Sequence, residues 1–396
     1  MLDGVMPGRD FGAHDRSPGM PVHRALVWGA NNSSSIIVAR ALRSRGWVVD
    51  ALADSRSPWC TADVFNGAVL RVDVAANFPI ECILADHPLD ALFLHGDEQV
   101  RFMLDRWQRL PKSVLRHLPP PASLAVALSK SRSLALAATL GLPVLDTVLC
   151  TTPDEARHAV NELAGRHNEA IVKGDGGSCG LLVKVLRRGQ TLEDETWDRF
   201  TAGSPVLLVQ RRLTGRRTVA TVVFEHGVER ALCVHEKRRA GPGEFGPSAI
   251  GVTAHIPDVE WQAATMFQAL RWHGLADADF REDAGDGRHY LLELNPRVPA
   301  SIGLQAIAGV DVVNAWADVC LGRDAESASS REYRTGVSYR WTAPDLALAI
   351  RRPWTLPRWV AESVRSPQGD WGVLSAAGRW AALRNALWLA RHRTTA

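Results

Sequence analysis

Residues 290–299 read Tyr-Leu-Leu-Glu-Leu-Asn-Pro-Arg-Val-Pro, an apolar run alternating with Glu293, Asn295 and Arg297. A strand repeats its facing every second residue, so these three polar side chains share one side while Leu292 and Leu294 take the other. An acid, an amide and a guanidinium gathered at a strand end suit a polyphosphate held through magnesium. Carboxylate and amide oxygens are hard ligands, and a guanidinium matches phosphoryl oxygens. A strand with one wetted face would read the same way, so the neighbouring sequence has to decide.

Just upstream, Gly274-Leu-Ala-Asp-Ala-Asp-Phe280 places Asp277 and Asp279 on one face of a second short strand, and the turn-rich stretch 281–288 joins the two as a hairpin. This hairpin predicts Asp279 opposite Glu293. Two facing carboxylates with no lysine between them repel unless a cation sits there, which is the residue-level argument for magnesium. A second constellation, 170–185, sets two apolar runs around a loop holding Gly174, Gly176, Gly177, Ser178 and Gly180, with Lys173 closing the first run. Glycines let backbone N–H groups approach an anion, and Lys173 adds a mobile positive charge. The lysine precedes the loop and a strand follows it, so this is not the strand-loop-helix phosphate motif.

The amino-terminal part reads as a β-α-β unit: strand 25–28, a polar loop 29–35, a helix from about Ile36 to Arg45 and a strand 47–52. It lacks Gly-x-Gly-x-x-Gly, which argues against a dinucleotide. The loop serines could hold a smaller anion or simply cap the helix. Strands at 68–72 and 90–94 extend the sheet, and the latter ends in His95-Gly-Asp-Glu98. Open α/β sheets bind ligands at that carboxyl edge, making His95, Asp97 and Glu98 candidates for contacting a substrate. Between the apolar run 206–209 and the acidic hairpin, Lys237, Arg238 and Arg239, like Arg216 and Arg217, could bind a carboxylate or phosphate; nothing in the sequence decides which of them points inward.

In this order the motifs resemble the ATP-grasp ligases of carboxylate–amine type. The resemblance runs from about residue 24 to 323. It implies a mixed α/β and α+β architecture: an ATP-grasp fold behind an N-terminal Rossmann-like (pre-ATP-grasp) domain. Lys130 in Ser129-Lys-Ser-Arg, followed by Gly141-Leu-Pro143, matches the first nucleotide lysine, and Lys173 with Gly176, Gly177, Ser178 and Gly180 the second and its lid. Gln210, Arg211 and Leu213 match the adenine hinge, Asp279, Glu293 and Asn295 the magnesium positions, and Arg297 the anion-positioning arginine. Two departures stand out: the hinge carries Arg211 and Arg212 with no acid for the ribose, and Asp279 replaces the commoner glutamate.

The implied activity is ATP-dependent formation of an amide or peptide bond through an acyl phosphate, with ATP and Mg2+ as cofactors and Arg297 and Lys173 as the catalytic groups. Substrates would be a small carboxylate and an amine, an amino acid or short peptide, touched by His95, Glu98, Arg216, Lys237 and Arg238. A small-molecule kinase and a non-catalytic nucleotide-binding protein on the same scaffold are the competing readings. The expected organisation is a flexible leader (1–20), an N-terminal α/β domain (21–122) ending in the stiff connector Leu118-Pro-Pro-Pro-Ala122, a small subdomain with the lid (123–205), a metal-binding subdomain (206–323) and a C-terminal accessory segment (324–396).

Size and composition fit this reading. The chain has 396 residues, 46% hydrophobic, enough for more than one core. Net charge is only +3, and aromatic residues do not interleave with the basic clusters at 187–188, 211–217 and 237–239, which argues against nucleic acid. Six cysteines without metal-ligand spacing read as reduced thiols of a cytoplasmic protein. Residues 1–20 lack the apolar stretch of a signal peptide. The tail crowds six tryptophans among arginines, and 377–391 has a basic amphipathic helical pattern. Such a helix is expected to pack on its own protein or on a sister subunit in a homodimer, with membrane contact disfavoured.

Overall fold

Apolar runs in the first hundred residues build a parallel sheet. In this computed structural model, which describes residues 22–30, 33–54, 64–73, 78–86, 88–177, 182–241, 243–323, 332–365, 368–370 and 376–392, β1 (Arg24–Trp28), β2 (Val48–Asp54), β3 (Val69–Val72) and β4 (Ala91–Leu94) lie in the order β3-β2-β1-β4, all parallel. Both faces are covered, which is why β1, β2 and β4 read as continuous rather than alternating apolar stretches. The first helix spans Ser33–Ser44 and starts three residues before the expected Ile36, because the loop serines join its first turn. Pro121 is the first residue of a helix, Pro121–Ala127, so the expected connector ends at Pro120. The missing N–H of proline costs nothing at that position.

Strands β5 (Thr147–Cys150), β6 (Glu169–Gly174), β7 (Val183–Arg187) and β8 (Leu207–Arg211) form an antiparallel sheet in the order β5-β8-β6-β7. Helix Pro153–His167 backs it. Thr152 and Glu155 close a capping box at the helix start, Pro153 stands in the first turn, and Asn168 ends it at φ 67°. Ala156, Val160 and Leu163 bury against Val172, Leu207 and Val209 in a core separate from the rest.

A six-stranded sheet follows, built from β9 (Arg217–Glu225), β10 (Val228–Ala240), β11 (Ser248–Thr253), β12 (Gly274–Glu282), β13 (His289–Asn295) and β14 (Ser338–Arg340) in the order β13-β12-β9-β10-β11-β14. One face of β9, β12 and β13 shares a core with β1, β4 and the helices around Lys130, through Val222, Phe224, Phe280 and Leu291 against Trp28, Leu92 and Leu134. The amino-terminal sheet is therefore fixed to β9, β12 and β13. The boundary at residue 323 is corrected here: β14 lies in the tail yet pairs with β11, and Trp341 is buried with its indole N–H donating to Ala300 O at 2.9 Å. The first part of the tail completes the large sheet. The leader 1–20 lies outside the described residues.

Candidate active site

Strand register assembles the site. Asp279 stands opposite Glu293, and Asp277 opposite Asn295, as the alternation of the two strands predicts. On the other side of β12, Asp279 pairs with Val219 and Arg281 with Arg217, and Val219 in turn pairs with His235 of β10. Period-two facing then brings Lys237, two residues beyond His235, onto the same side. Above this face sits the antiparallel sheet carrying Lys173. Together they enclose a cleft of about 600 Å³, counting its open mouth, lined by Lys130, Lys173, Arg217, Arg281, Asp279 and Glu293 among others. Leu145, Ile171, Val183, Leu213, Phe245 and Leu292 supply an apolar section of the same wall. A flat heterocycle fits against such a section and a polyanion against the cations.

The two lysines enter from different elements. Lys130 begins helix Lys130–Thr139, where Ser129 is the N-cap and accepts from Arg132 N. Its ammonium lies 3.1 Å from Glu293 Oε2 and donates to the carbonyls of Gly176 (3.3 Å) and Gly177 (2.9 Å). Lys173, at the end of β6, is buried. Desolvation pushes its ammonium down to about 8, Glu293 works the other way, and Lys130, Arg281 and Arg217 add to the lowering. The glycines have specific causes: a Cβ on Gly176 would lie 2.9 Å from the Arg101 guanidinium, and Gly177 has φ +83° with Leu182 2.8 Å from the same position. Ser178 and Gly180 lie outside the described residues.

The expectation of two carboxylates with no lysine between them is corrected. Lys237 Nζ donates to both oxygens of Asp279, at 2.9 and 3.1 Å, and Lys130 holds Glu293. The acids are already neutralised, so repulsion alone does not demand a metal. Burial opposes the charge on Asp279, yet Lys237, Arg217 and Arg297 outweigh it and keep that carboxyl below its ordinary range. Asp277 goes the other way: burial, with Asp279 beside it, raises it against the pull of Arg297. Asn295 donates to Asp277 Oδ1 at 2.6 Å and accepts from Arg297 Nη2 at 3.2 Å. Arg297 lies just beyond β13, fixed by Val298 N donating to Leu94 O at 2.7 Å, and its Nε sits 3.4 Å from Asp97 Oδ1.

The remaining candidates divide. Lys237 is the inward member of the basic triplet, whereas Arg238 pairs with Glu236 at the surface and Arg216 pairs with Glu282 and Glu236, away from the cleft. Arg211 and Leu213 line the cleft, but the Gln210 side chain turns into the sheet and donates to Thr147 Oγ1 at 2.7 Å. Arg211 is held by Asp283 at 2.5 Å. His95 is buried at the end of β4, its Nδ1 3.0 Å from Ser34 Oγ. Desolvation and the Arg297 charge push its imidazolium down to about 3, so it is neutral. Glu98 lies near Gln99, and it is Asp97 that meets Arg297.

Three contributors escaped the sequence reading. Asp175, inside the glycine-rich loop, accepts from Ser131 N at 2.7 Å and from Ser129 Oγ at 2.9 Å, and its carbonyl accepts from Lys130 N at 3.0 Å. It ties the end of β6 to the helix bearing Lys130. Arg281 and Phe245 line the cleft from elements whose facing depends on strand order, which no local pattern encodes.

Fold and cleft together set two antiparallel sheets across one site, with lysines above and acids below. Residues 203–344 match a family described as ATP-grasp in the biosynthetic pathway with Ter operon. The chain is 28% identical over 244 residues to the D-alanine–D-alanine ligase of Ruegeria sp. (strain TM1040), covering 57% of this chain and 74% of that protein. Among solved structures, the biotin carboxylase domain dimer of Hydrogenobacter thermophilus 2-oxoglutarate carboxylase, in complex with MgADP, ADP and bicarbonate, matches with TM-score 0.62 at 15% identity over 81% of this chain and 74% of that one. N5-carboxyaminoimidazole synthetase from Staphylococcus aureus complexed with ADP matches with TM-score 0.60 at 13% identity over 76% and 78%. The fold is that of the ATP-grasp proteins, and the family match covers residues 203–344 of it.

Proposed function

We propose that the chain is an ATP-dependent carbon–nitrogen ligase that joins a carboxylate to an amine through an acyl phosphate, releasing ADP and phosphate. The observation that carries this reading is the Asp279–Glu293 register pair facing Lys130 and Lys173 across one cleft. Adenine would lie along Leu145, Ile171, Leu213 and Leu292, with the phosphates toward the lysines and Arg217 and Arg281.

The donor set fits magnesium. Asp279 and Glu293 offer hard oxygens from opposite residues, and the Asn295 amide oxygen has a second lone pair besides the one Arg297 uses. Among the described residues no three His, Cys, Asp or Glu side chains converge on one metal position. That suits magnesium, which takes one or two carboxylates and completes its shell with phosphate oxygens and water. When bound it neutralises charge on the terminal phosphates.

The chain's own groups do the rest. Lys130 and Lys173 screen the phosphate chain, so an incoming carboxylate oxygen can approach the γ-phosphorus. Lys237, which donates to both oxygens of Asp279, holds that carboxylate in place beside the phosphate end of the cleft, where Asp279 would serve as a magnesium ligand. Arg297, braced by Asp97 and Asp277, steadies the carboxylate as it becomes an acyl phosphate, and the amine then displaces phosphate. Closure of the lid about Gly176 and Gly177 keeps water from the acyl phosphate. The substrate side lies at the carboxyl edge of β4, where Arg297 and Asp97 offer opposite charges to the two ends of an amino acid; amino acids or short peptides are the proposed substrates.

A panel of paired amino and carboxylic acids, read by ADP formation and by the mass of the condensed product, tests the reading. ADP and condensed product appearing only with both partners is expected. A stable phosphorylated product with no amine consumed would make the chain a kinase instead.

A further inference from the structure

Residues 350–396 hold eight arginines, no lysine and two acids, although the whole chain carries only +3. The rest of the molecule is thus net acidic, and the excess of basic charge falls in this segment. The helix Ala376–His392 presents that charge in an ordered way. Its Ala386 and Leu389 pack on Ala343 and Ala347 of helix Thr342–Arg351. Its outward residues are Trp380, Arg384, Leu387, Trp388 and Arg391, spaced as one helical stripe. Trp380 is 67% exposed and Trp388 51%, high values for a residue type usually sequestered. Following Thr342–Arg351, Trp354 is 76% exposed, with Leu356 and Val360 also outward and Arg352 and Arg358 beside them.

We propose that this carboxy-terminal surface docks on an anionic phospholipid bilayer. A helix held to the body by one face cannot span a membrane, and among the described residues no helix is long and apolar enough to do so. It can lie in the interface plane, with indoles at the headgroup boundary and arginines reaching the lipid phosphates. Arginine stems cover apolar surface while the guanidinium stays wet, so alternating Trp and Arg suits that boundary. A second copy is the poorer occupant, because a twofold contact would set the same basic stripe against itself. An acidic protein would satisfy the charge but would not require three outward indoles without a groove to receive them. This reverses the expectation that membrane contact is disfavoured; the expected packing on the protein itself accounts only for the alanine-rich face.

The test uses the full chain and vesicles of phosphatidylcholine with and without phosphatidylserine, read by co-flotation and by the tryptophan emission maximum. Wild type should float with the anionic vesicles with a blue shift, and should be released by high salt. Trp380→Ser/Trp388→Ser should lose the blue shift. Arg384→Glu/Arg391→Glu keeps the indoles and should weaken partitioning on the order of a hundredfold. Far-UV circular dichroism and ATP-dependent turnover should match wild type in both variants, since neither pair touches the cleft. Wild type staying with the solvent fraction, or floating equally on neutral vesicles, would overturn the proposal. So would a wild-type dimer that the Trp380→Ser/Trp388→Ser variant converts to monomer without any vesicle binding, which would make the face a contact between copies.

Discussion

At the residue scale Lys173 is the most sensitive reporter of the cleft. Its ammonium is pushed down to about 8 from the ordinary 10.5, because burial and the neighbouring cations outweigh Glu293. A depressed lysine is neutral in the fold above about pH 8 while the unfolded chain keeps its proton to about 10.5. The unfolded state therefore binds more protons in that window, and stability rises with pH across it. Lys173→Met should abolish that rise, measured by urea unfolding across the window. ATP affinity should move oppositely, falling as pH climbs past about 8, while Lys173→Arg should flatten the curve in calorimetric titrations. A wild-type affinity flat with pH would remove Lys173 from the phosphate site. Glu293→Gln changes only charge and one acceptor, so the fold should persist while magnesium-dependent turnover falls about a hundredfold or more. Turnover within a few-fold of wild type would take Glu293 out of the site. These two residues were legible because each closes or punctuates an apolar run. The inward turn of Lys237 was not, since it depends on β9 lying between β10 and β12.

At the element scale, Asp175 joins the end of β6 to the start of the helix bearing Lys130. Asp175→Ala removes acceptors from Ser131 N and Ser129 Oγ and should cost roughly 1–2 kcal/mol in chemical denaturation. It should also raise KM for ATP more than it lowers kcat, because it loosens a binding wall and removes no reacting group. Unchanged stability and KM would mean the tie is incidental. The β12–β13 hairpin could be read from sequence because its alternation and its turn residues agree. Asp175 could not: its partners lie more than forty residues away, and beside four glycines it reads as one more turn residue. β14 was missed for another reason. A three-residue edge strand carries too few alternations to show a period, and Trp341 beside it was grouped with the other tryptophans of the tail.

For the whole molecule, the order of motifs along the chain revealed the fold better than any one motif did. Two lysines, a hinge and an acid pair can meet only if two sheets close on each other, and separate cores behind those sheets allow that. The tail broke the pattern, since its burial is split between a sheet edge and an outward basic face. Trp341 marks the buried half, 6% exposed and bonded to Ala300 O. Trp341→Ala should therefore destabilise the fold by about 3–5 kcal/mol, read as a lower urea midpoint. A change within about 0.5 kcal/mol, typical of surface sites, would return the tail to an appended segment.

The central claim, that a carboxylate is activated as an acyl phosphate in this cleft, is tested most directly by following oxygen. With an amino-acid carboxylate labelled with heavy oxygen, ATP, magnesium and an amine, one labelled oxygen should pass into the released phosphate for each amide bond formed, as read by mass spectrometry. Condensed product accompanied by unlabelled phosphate, or ADP formed with no transfer from the carboxylate, would contradict the account.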